Sequence, residues 1–476
     1  MQTPLERLAA QRLSNAVEIS GFLHRLAAAC PQARLETLGW SVHGRPLEAL
    51  HLAAPGGAGP RLKIMLVGSQ HGASEGAGSE SLLVLARDVA VGGRRDLLEH
   101  LELVLVPNPN PDGRELDQSA NARDVNLNRD YVLLSQPEAR ALAQAVLSAA
   151  PDVLLDVHES AAFKRRTLGR EGFLTDFEAQ FDVANHPAVP APLLDYGRDV
   201  LLPALIARTA ARGLPAQRYI KEILSTTQPL TNGALTPRKF RNRVGLQGVL
   251  SCLLETRLDP KDGVYPSYRN LAVRVEKQRL CLHAFLEVAI ARRAEIRACI
   301  AAARATLGAA PLPLYARYVP ASGGGTLPVR LRRCDTLEAV TVSFPDHRAI
   351  ETRHTIAPPA GYALAAHAAP LAEFLARHGI PSRRFGSARR LRVAAQRFAP
   401  RAPKTRTLEL RAEEEKDMEF APDALWVGAD HALGRLLPLL LEPRANCSAF
   451  GYPEYGRLVA PDREFFVYRA LDAPES

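Results

Sequence analysis

Three apolar runs in this 476-residue chain each deliver a side chain able to bind a divalent metal or move a proton. LKIMLVGS (62–69) opens onto Gln70 and His71, and Glu75 follows after Gly72, Ala73 and Ser74. DVLLDV (152–157) leads into His158, and GVLSCLLE (248–255) ends on Glu255. Imidazole nitrogen and carboxylate oxygen are both ligands of Zn²⁺, and a catalytic zinc needs three protein ligands with a fourth position open. His71, Glu75 and His158 meet that requirement, which leaves Glu255 as a general base for water. Taken alone, the 71–75 stretch reads more simply as a turn with a solvated histidine and a helix-capping Ser74 and Glu75. The three runs together point to one site.

Side chains so far apart in the chain meet only if strands bring them to a common edge. Open α/β sheets do this, because their sites lie at the carboxyl ends of the strands. The runs have the length and β-rich character of buried strands, with Gly68 and Gly72 marking where the first one breaks. Asp156 and His158, two residues apart, point to one face of an extended strand. Helical spacing predicts a helix over 4–29, another over 79–92, one over 137–149 opened by Pro137 and Glu138, and a helical stretch near 194–212. His43-Gly44-Arg45-Pro46 reads as a turn between two strands. LELVLV (101–106) opens onto a proline-rich rigid loop, 107–113, and then a polar run, NARDVNLNRDY (121–131). A long helix, 269–306, closes a first domain spanning 1–306. The Pro/Gly/Ser-rich stretch 307–325 reads as a linker, and 326–476 as a smaller α+β or β-rich domain of short strands with helical pieces near 368–378 and 430–441.

The bulk numbers exclude several classes. At 476 residues two cores are expected, and 47% hydrophobic with 23% charged residues is an ordinary globular composition. The net charge of +9 leans weakly toward anionic substrates, yet no Lys/Arg block is interleaved with aromatics as a nucleic-acid surface requires. No apolar segment reaches about 18 residues, so no membrane span is expected. Six widely spaced cysteines without a Cys-x-x-Cys pair fit a reducing compartment, and the polar N-terminus lacks the apolar core of a secretory signal. A cytoplasmic location is therefore expected, or a periplasmic one if a signal was removed.

The order of elements across residues 35–260 resembles the zinc carboxypeptidase family of the carboxypeptidase A type. LGWSVHGRP, QHGASEGAG, PNPNPDG, DVNLNRD, DVHE and GVLSCLLETR carry the resemblance. It implies a three-layer α/β/α fold on a mixed, mainly parallel central sheet. It also implies one Zn²⁺ per chain on His71, Glu75 and His158, Glu255 as the catalytic glutamate, and Asn128 with Arg129 holding the substrate's terminal carboxylate. The activity so implied is cleavage of an amide bond beside a free carboxylate in a peptide. Two alternatives keep the fold: an amidohydrolase acting on N-acyl amino acids, as in the related succinylglutamate desuccinylase and aspartoacylase group, and a non-catalytic carboxylate-binding protein.

Four departures from the family pattern set questions for the structure. The family's first motif is His-Xaa-Xaa-Glu, whereas three residues separate His71 from Glu75, so the loop bulges or another acid, Glu80, takes over. Asn126 stands where an Asp commonly supports a zinc histidine, with Asp156 as a substitute. The oxyanion-stabilising arginine has no match in place, leaving Arg114, Arg123 and Arg241. No tyrosine lies between Ile220 and Leu254, leaving Tyr219 and Tyr265 as distant replacements.

Overall fold

The computed structural model describes residues 1–56, 61–258, 270–402 and 405–474. Strands β1 (Ala33–Trp40), β2 (Pro46–Leu52), β3 (Leu62–Gly68), β4 (Leu101–Val106) and β5 (Val153–Ser160) come first. Short β6 (Phe173–Thr175) precedes β7 (Ala179–Val183), β8 (Ala216–Arg218) and β9 (Leu250–Arg257). All but β6 form one sheet in the order β1-β2-β4-β3-β5-β9-β7-β8. Its centre, β4-β3-β5-β9, is parallel; β2 on one side and β7 on the other run antiparallel to it.

Alternation along the central strands builds three layers. Leu62, Ile64 and Leu66 of β3, with Val153, Leu155 and Val157 of β5, join an apolar cluster containing Leu82, Leu83 and Leu282 from helices Ala77–Ala90 and Leu271–Ala291. The interleaved Met65, Val67 and Leu154 join a second cluster with Leu142 and Val146 of helix Pro137–Ala149. Period-two alternation thus buries both faces of the sheet.

Two long helices expected from periodicity are each divided. The 4–29 stretch breaks into Pro4–Arg7 and Ala16–Ala29, separated by Ala9 and Ala10 at positive φ, and Asn15 with Glu18 makes a capping box at the second start. The 269–306 stretch becomes Leu271–Ala291 and Arg293–Ala305. The 194–212 stretch is helical but has a wide π turn at Gly197–Leu201.

The stretch read as a linker holds a strand, β10 (Leu312–Val319), with Leu314 fully buried. It pairs with β13 (Ala349–Ile356), while β11 (Thr326–Arg333) and β12 (Ala339–Pro345) form a hairpin between them in sequence. That hairpin reaches back to the first part of the chain. Leu331, Arg332 and Arg333 pair with Thr175, Leu174 and Phe173 of β6. Asp176 takes both Arg330 Nε and Arg332 Nε at 2.7 Å. The remaining strands, β14 (Gly361–Leu364), β15 (Arg383–Arg384), β16 (Arg389–Phe398), β17 (Leu410–Phe420), β18 (Leu425–Gly428) and β19 (Val467–Ala470), make a six-stranded sheet. Leu371 and Phe374 of helix Ala368–His378 and Leu436–Leu441 join the first apolar cluster, so both parts of the chain share a core.

Polar contacts fasten the same junction. Arg435 Nε donates to Ala188 O at 2.8 Å, and His186, fully buried two residues earlier, accepts from Ala188 N at 3.0 Å. Burial, with Arg435 nearby, pushes the His186 imidazole down to about 3. Its folded pKa is below its unfolded value, so its contribution is complete above pH 6.5 and is lost as pH falls toward 3. At pH 5 this one group should cost roughly 2 kcal/mol. In urea titrations at pH 7 and pH 5, His186→Asn should show a smaller pH-dependent loss of stability than the parent; equal losses would place the effect elsewhere.

Candidate metal centre and substrate cavity

β3 ends at Gly68, and the chain turns through a single 3-10 turn, Gly72–Glu75. Gly72 has φ +53, and an added Cβ would come within 2.5 Å of Gln118 O. The tight turn absorbs the extra residue between His71 and Glu75. Glu75 Oε1 lies 2.6 Å from His71 Nδ1, and Oε2 lies 2.7 Å from His158 Nδ1. One ligand atom from each of the three falls within 4.8 Å of the others. Glu80, the reserve acid, is engaged elsewhere: it pairs with Arg114 and accepts from Ser14 N at 2.8 Å and Ser14 Oγ at 2.9 Å.

The donor set fits a zinc ion. Burial alone would raise the Glu75 carboxyl, but the charges and hydrogen bonds of His71 and His158 outweigh it and hold Glu75 well below the usual carboxylate range. Burial would likewise depress His158, yet the charges of Asp156 and Glu75 carry it well above an ordinary imidazole. A carboxylate enclosed by two imidazole Nδ1 atoms is a place where a cation is favoured. The outer nitrogen of His158 is held by Asp156 Oδ2 at 3.0 Å, which leaves Nδ1 as the nitrogen facing Glu75. Among the described residues, His71 Nε2 is buried without a partner, as is Asn126 Oδ1, so Asn126 gives no support to a candidate ligand histidine. The supporting carboxylate is Asp156 instead.

A buried relay fixes Asp156. Its Oδ1 accepts from Gln70 Nε2 at 2.6 Å, and Gln70 Oε1 accepts from Tyr131 Oη at 2.6 Å. Gln70 and Tyr131 are both fully buried. Arg243 Nη1 donates to Tyr131 O at 3.1 Å and lies 2.8 Å from His378 Nδ1, so the relay reaches the C-terminal helix Ala368–His378.

Glu255 lies on β9 directly opposite His158 of β5. Burial, reinforced by the charges of Glu75 and Asp156 and opposed by those of His158 and Lys239, pushes it up to about 7. His71, Glu75, Arg129, Tyr219, Lys239 and Glu255 line a cavity of about 280 Å³, bounded on another side by Val329 and Arg330 of β11. A second lobe of about 310 Å³ shares Arg129, Tyr219, Lys239 and Glu255 and adds Asn128, Arg238 and Arg241. Asn128 Nδ2 also lies 3.3 Å from His158 Nε2.

Of the candidate oxyanion arginines, Arg114 is buried against Glu80, and Arg123 is exposed and lines neither lobe. Arg241 lines the second lobe, with Nη1 3.1 Å from Asp182 Oδ2 and its guanidinium 5.5 Å from the Tyr219 ring centre. Tyr265 lies outside the described residues. Sequence reasoning missed Gln70, Tyr131, Arg238 and Lys239; the only signal for the first was its place immediately before His71.

The relay generates a test. Asp156→Asn should weaken zinc binding about 10–100-fold, and Tyr131→Phe by less, in competition with a chromophoric chelator. Parent-like zinc affinity in Asp156→Asn would show that His158 needs no such support.

Residues 19–160 match the family model described as zinc carboxypeptidase. Carboxypeptidase 2 of Trichophyton rubrum is 27% identical over 250 residues, covering 50% of this chain and 46% of that protein. The chain thus spans about half the length of the curated relatives it matches. Among solved structures, a metallo-carboxypeptidase from Burkholderia cenocepacia is 20% identical with a TM-score of 0.45, covering 57% of this chain and 68% of its own. One from Pseudomonas aeruginosa, in complex with (2-guanidinoethylmercapto)succinic acid, is 23% identical with a TM-score of 0.44, covering 58% and 69%. The segment that holds His71, Glu75 and His158 is the segment that matches the zinc carboxypeptidase family.

Proposed function

We propose that the chain is a zinc-dependent metallocarboxypeptidase-like hydrolase that cleaves an amide bond beside a free carboxylate. The observation that carries this reading is the placement of Glu255 across from His158, in a cavity that also holds His71, Glu75 and Arg129. The family match over 19–160 and relatives named carboxypeptidases support it.

His71 Nδ1, Glu75 and His158 Nδ1 would hold the zinc, which supplies Lewis-acid polarisation of the scissile carbonyl and acidifies water. Arg129, with Asn128 beside it, receives the substrate's terminal carboxylate through charge-assisted hydrogen bonds and so fixes the substrate's end. The Glu255 carboxylate takes a proton from the attacking water and passes it to the departing amine nitrogen.

A second reading keeps the site and changes the substrate to an N-acyl amino acid. Val329 and Arg330, which line the cavity beside Glu255, are the feature that motivates it. We also place the protein in the cytoplasm, on the strength of six cysteines that are all free thiols. No helix among the described residues is long and apolar enough to cross a membrane.

Metal analysis should give one zinc per chain. Rates on blocked dipeptides, longer peptides and N-acyl amino acids should fall to background with chelator and return with zinc. Glu255→Gln should lose about 10²–10⁴-fold in kcat while keeping its zinc. A parent-like rate in Glu255→Gln, or a protein that folds but takes no zinc, defeats the hydrolase reading. Cleavage of N-acyl amino acids with no cleavage of peptides selects the second.

A further inference from the structure

The second lobe of the cavity holds more positive charge than a terminal carboxylate uses. Arg129, Arg238, Lys239 and Arg241 all line it. Arg241 is engaged by Asp182, which also takes Arg218 Nε at 3.4 Å. The lobe's acids are largely committed as well: Asp156 to Gln70 and His158, and Glu222 to Lys164 at 3.4 Å. Glu255 acts on Lys239 only at longer range, with no ion pair between them.

Arg129, Arg238 and Lys239 are therefore left without an acidic partner among the described residues. Among the described residues, the only side-chain hydrogen bond of Arg129 is from Nη1 to Asn128 O at 2.8 Å, and Arg238 Nε is buried with no partner. The cations are held together by construction: Asn128 Oδ1 accepts from Phe240 N at 3.0 Å, tying the Asn128–Arg129 pair to the segment carrying Arg238 and Lys239. Burial first, and then the charges of Arg129 and Arg241, push Lys239 down to about 7. Arg129 is lowered too, by burial and then by the charge of Arg238. Unpaired cations crowded around one lobe gain most from a ligand that brings more than one negative charge.

We propose that Arg238 and Lys239 form, beside Arg129, a second anion subsite that selects a leaving residue with an acidic side chain, so that preferred substrates end in glutamate or aspartate. The proposal rests on the reading above, in which Asn128 and Arg129 hold the terminal carboxylate. That carboxylate uses Arg129, and Arg241 is held by Asp182. The cations that remain fit a carboxylate carried by the leaving residue itself.

The test compares isosteres that differ in one charge. Zinc-loaded protein is assayed on blocked dipeptides ending in Glu or Gln, and binding of N-acetylglutamate and N-acetylglutamine is measured by calorimetry with and without zinc. Both kcat/KM and affinity should favour the glutamate partner by about tenfold or more. In Lys239→Met and, separately, Arg238→Gln, that ratio should fall toward one. If the parent cleaves both peptides equally, or prefers the Gln peptide, the subsite is overturned and the hydrolase reading stands. If nothing is cleaved but N-acetylglutamate still binds about tenfold more tightly, the subsite stands and the hydrolase reading falls. Equal binding of the two acetyl amino acids in the absence of cleavage overturns both.

Discussion

Glu75 is a carboxylate with little access to water, held between two imidazoles, and much of the surrounding structure offsets the cost of putting it there. An unpaired buried charge costs several kcal/mol, so its neighbours must supply both charge and hydrogen bonds. His71 Nδ1 and His158 Nδ1 supply them, and Glu159 N adds a hydrogen bond at 3.2 Å. Each partner is itself braced. His158 is held by Asp156, and Glu159 receives Arg274 through Nε and Nη2, both at 2.7 Å. Glu159 Oε2 also accepts from Ala77 N, fixing the chain just beyond Glu75. The ion pair of Glu80 with Arg114 lies behind the same loop, where Arg114 Nη1 donates to Gly76 O at 3.1 Å. Buried ion pairs of this kind contribute little net stability but define one arrangement well.

Strand-borne features were legible in the sequence because alternation and run length carry them. The runs at 62–69, 152–157 and 248–255 become β3, β5 and β9, adjacent in a parallel block, and His71, Glu75 and His158 meet as their positions at strand ends require. The extra residue between His71 and Glu75 could be seen, but its solution could not. A 3-10 turn and a glycine at positive φ are local backbone choices with no periodic signature. Arg238 and Lys239 were opaque for a different reason: they sit in an irregular stretch, and only the hydrogen bond from Phe240 N to Asn128 brings them to Arg129. The helix breaks at Ala9, Ala10 and Arg292 were hidden because small and long side chains alike continue a helical pattern up to the residue where the backbone leaves it.

Charge is distributed unevenly around the metal centre. Glu75, Asp156 and Glu159 each have a cation or imidazole, whereas the Arg129 side has cations in excess. A negatively charged group meets a favourable field on the Arg129 side.

The β11–β12 hairpin has a consequence for how the molecule comes into being. Every ligand candidate and Glu255 are translated within the first 255 residues, yet the strand that covers β6 and brings Val329 and Arg330 to the cavity follows some seventy residues later. Until β11 has been made, β6 lacks the strand that pairs with it and the Val329–Arg330 wall of the cavity is missing. The hairpin is thus the last of these parts to become available to wall the cavity.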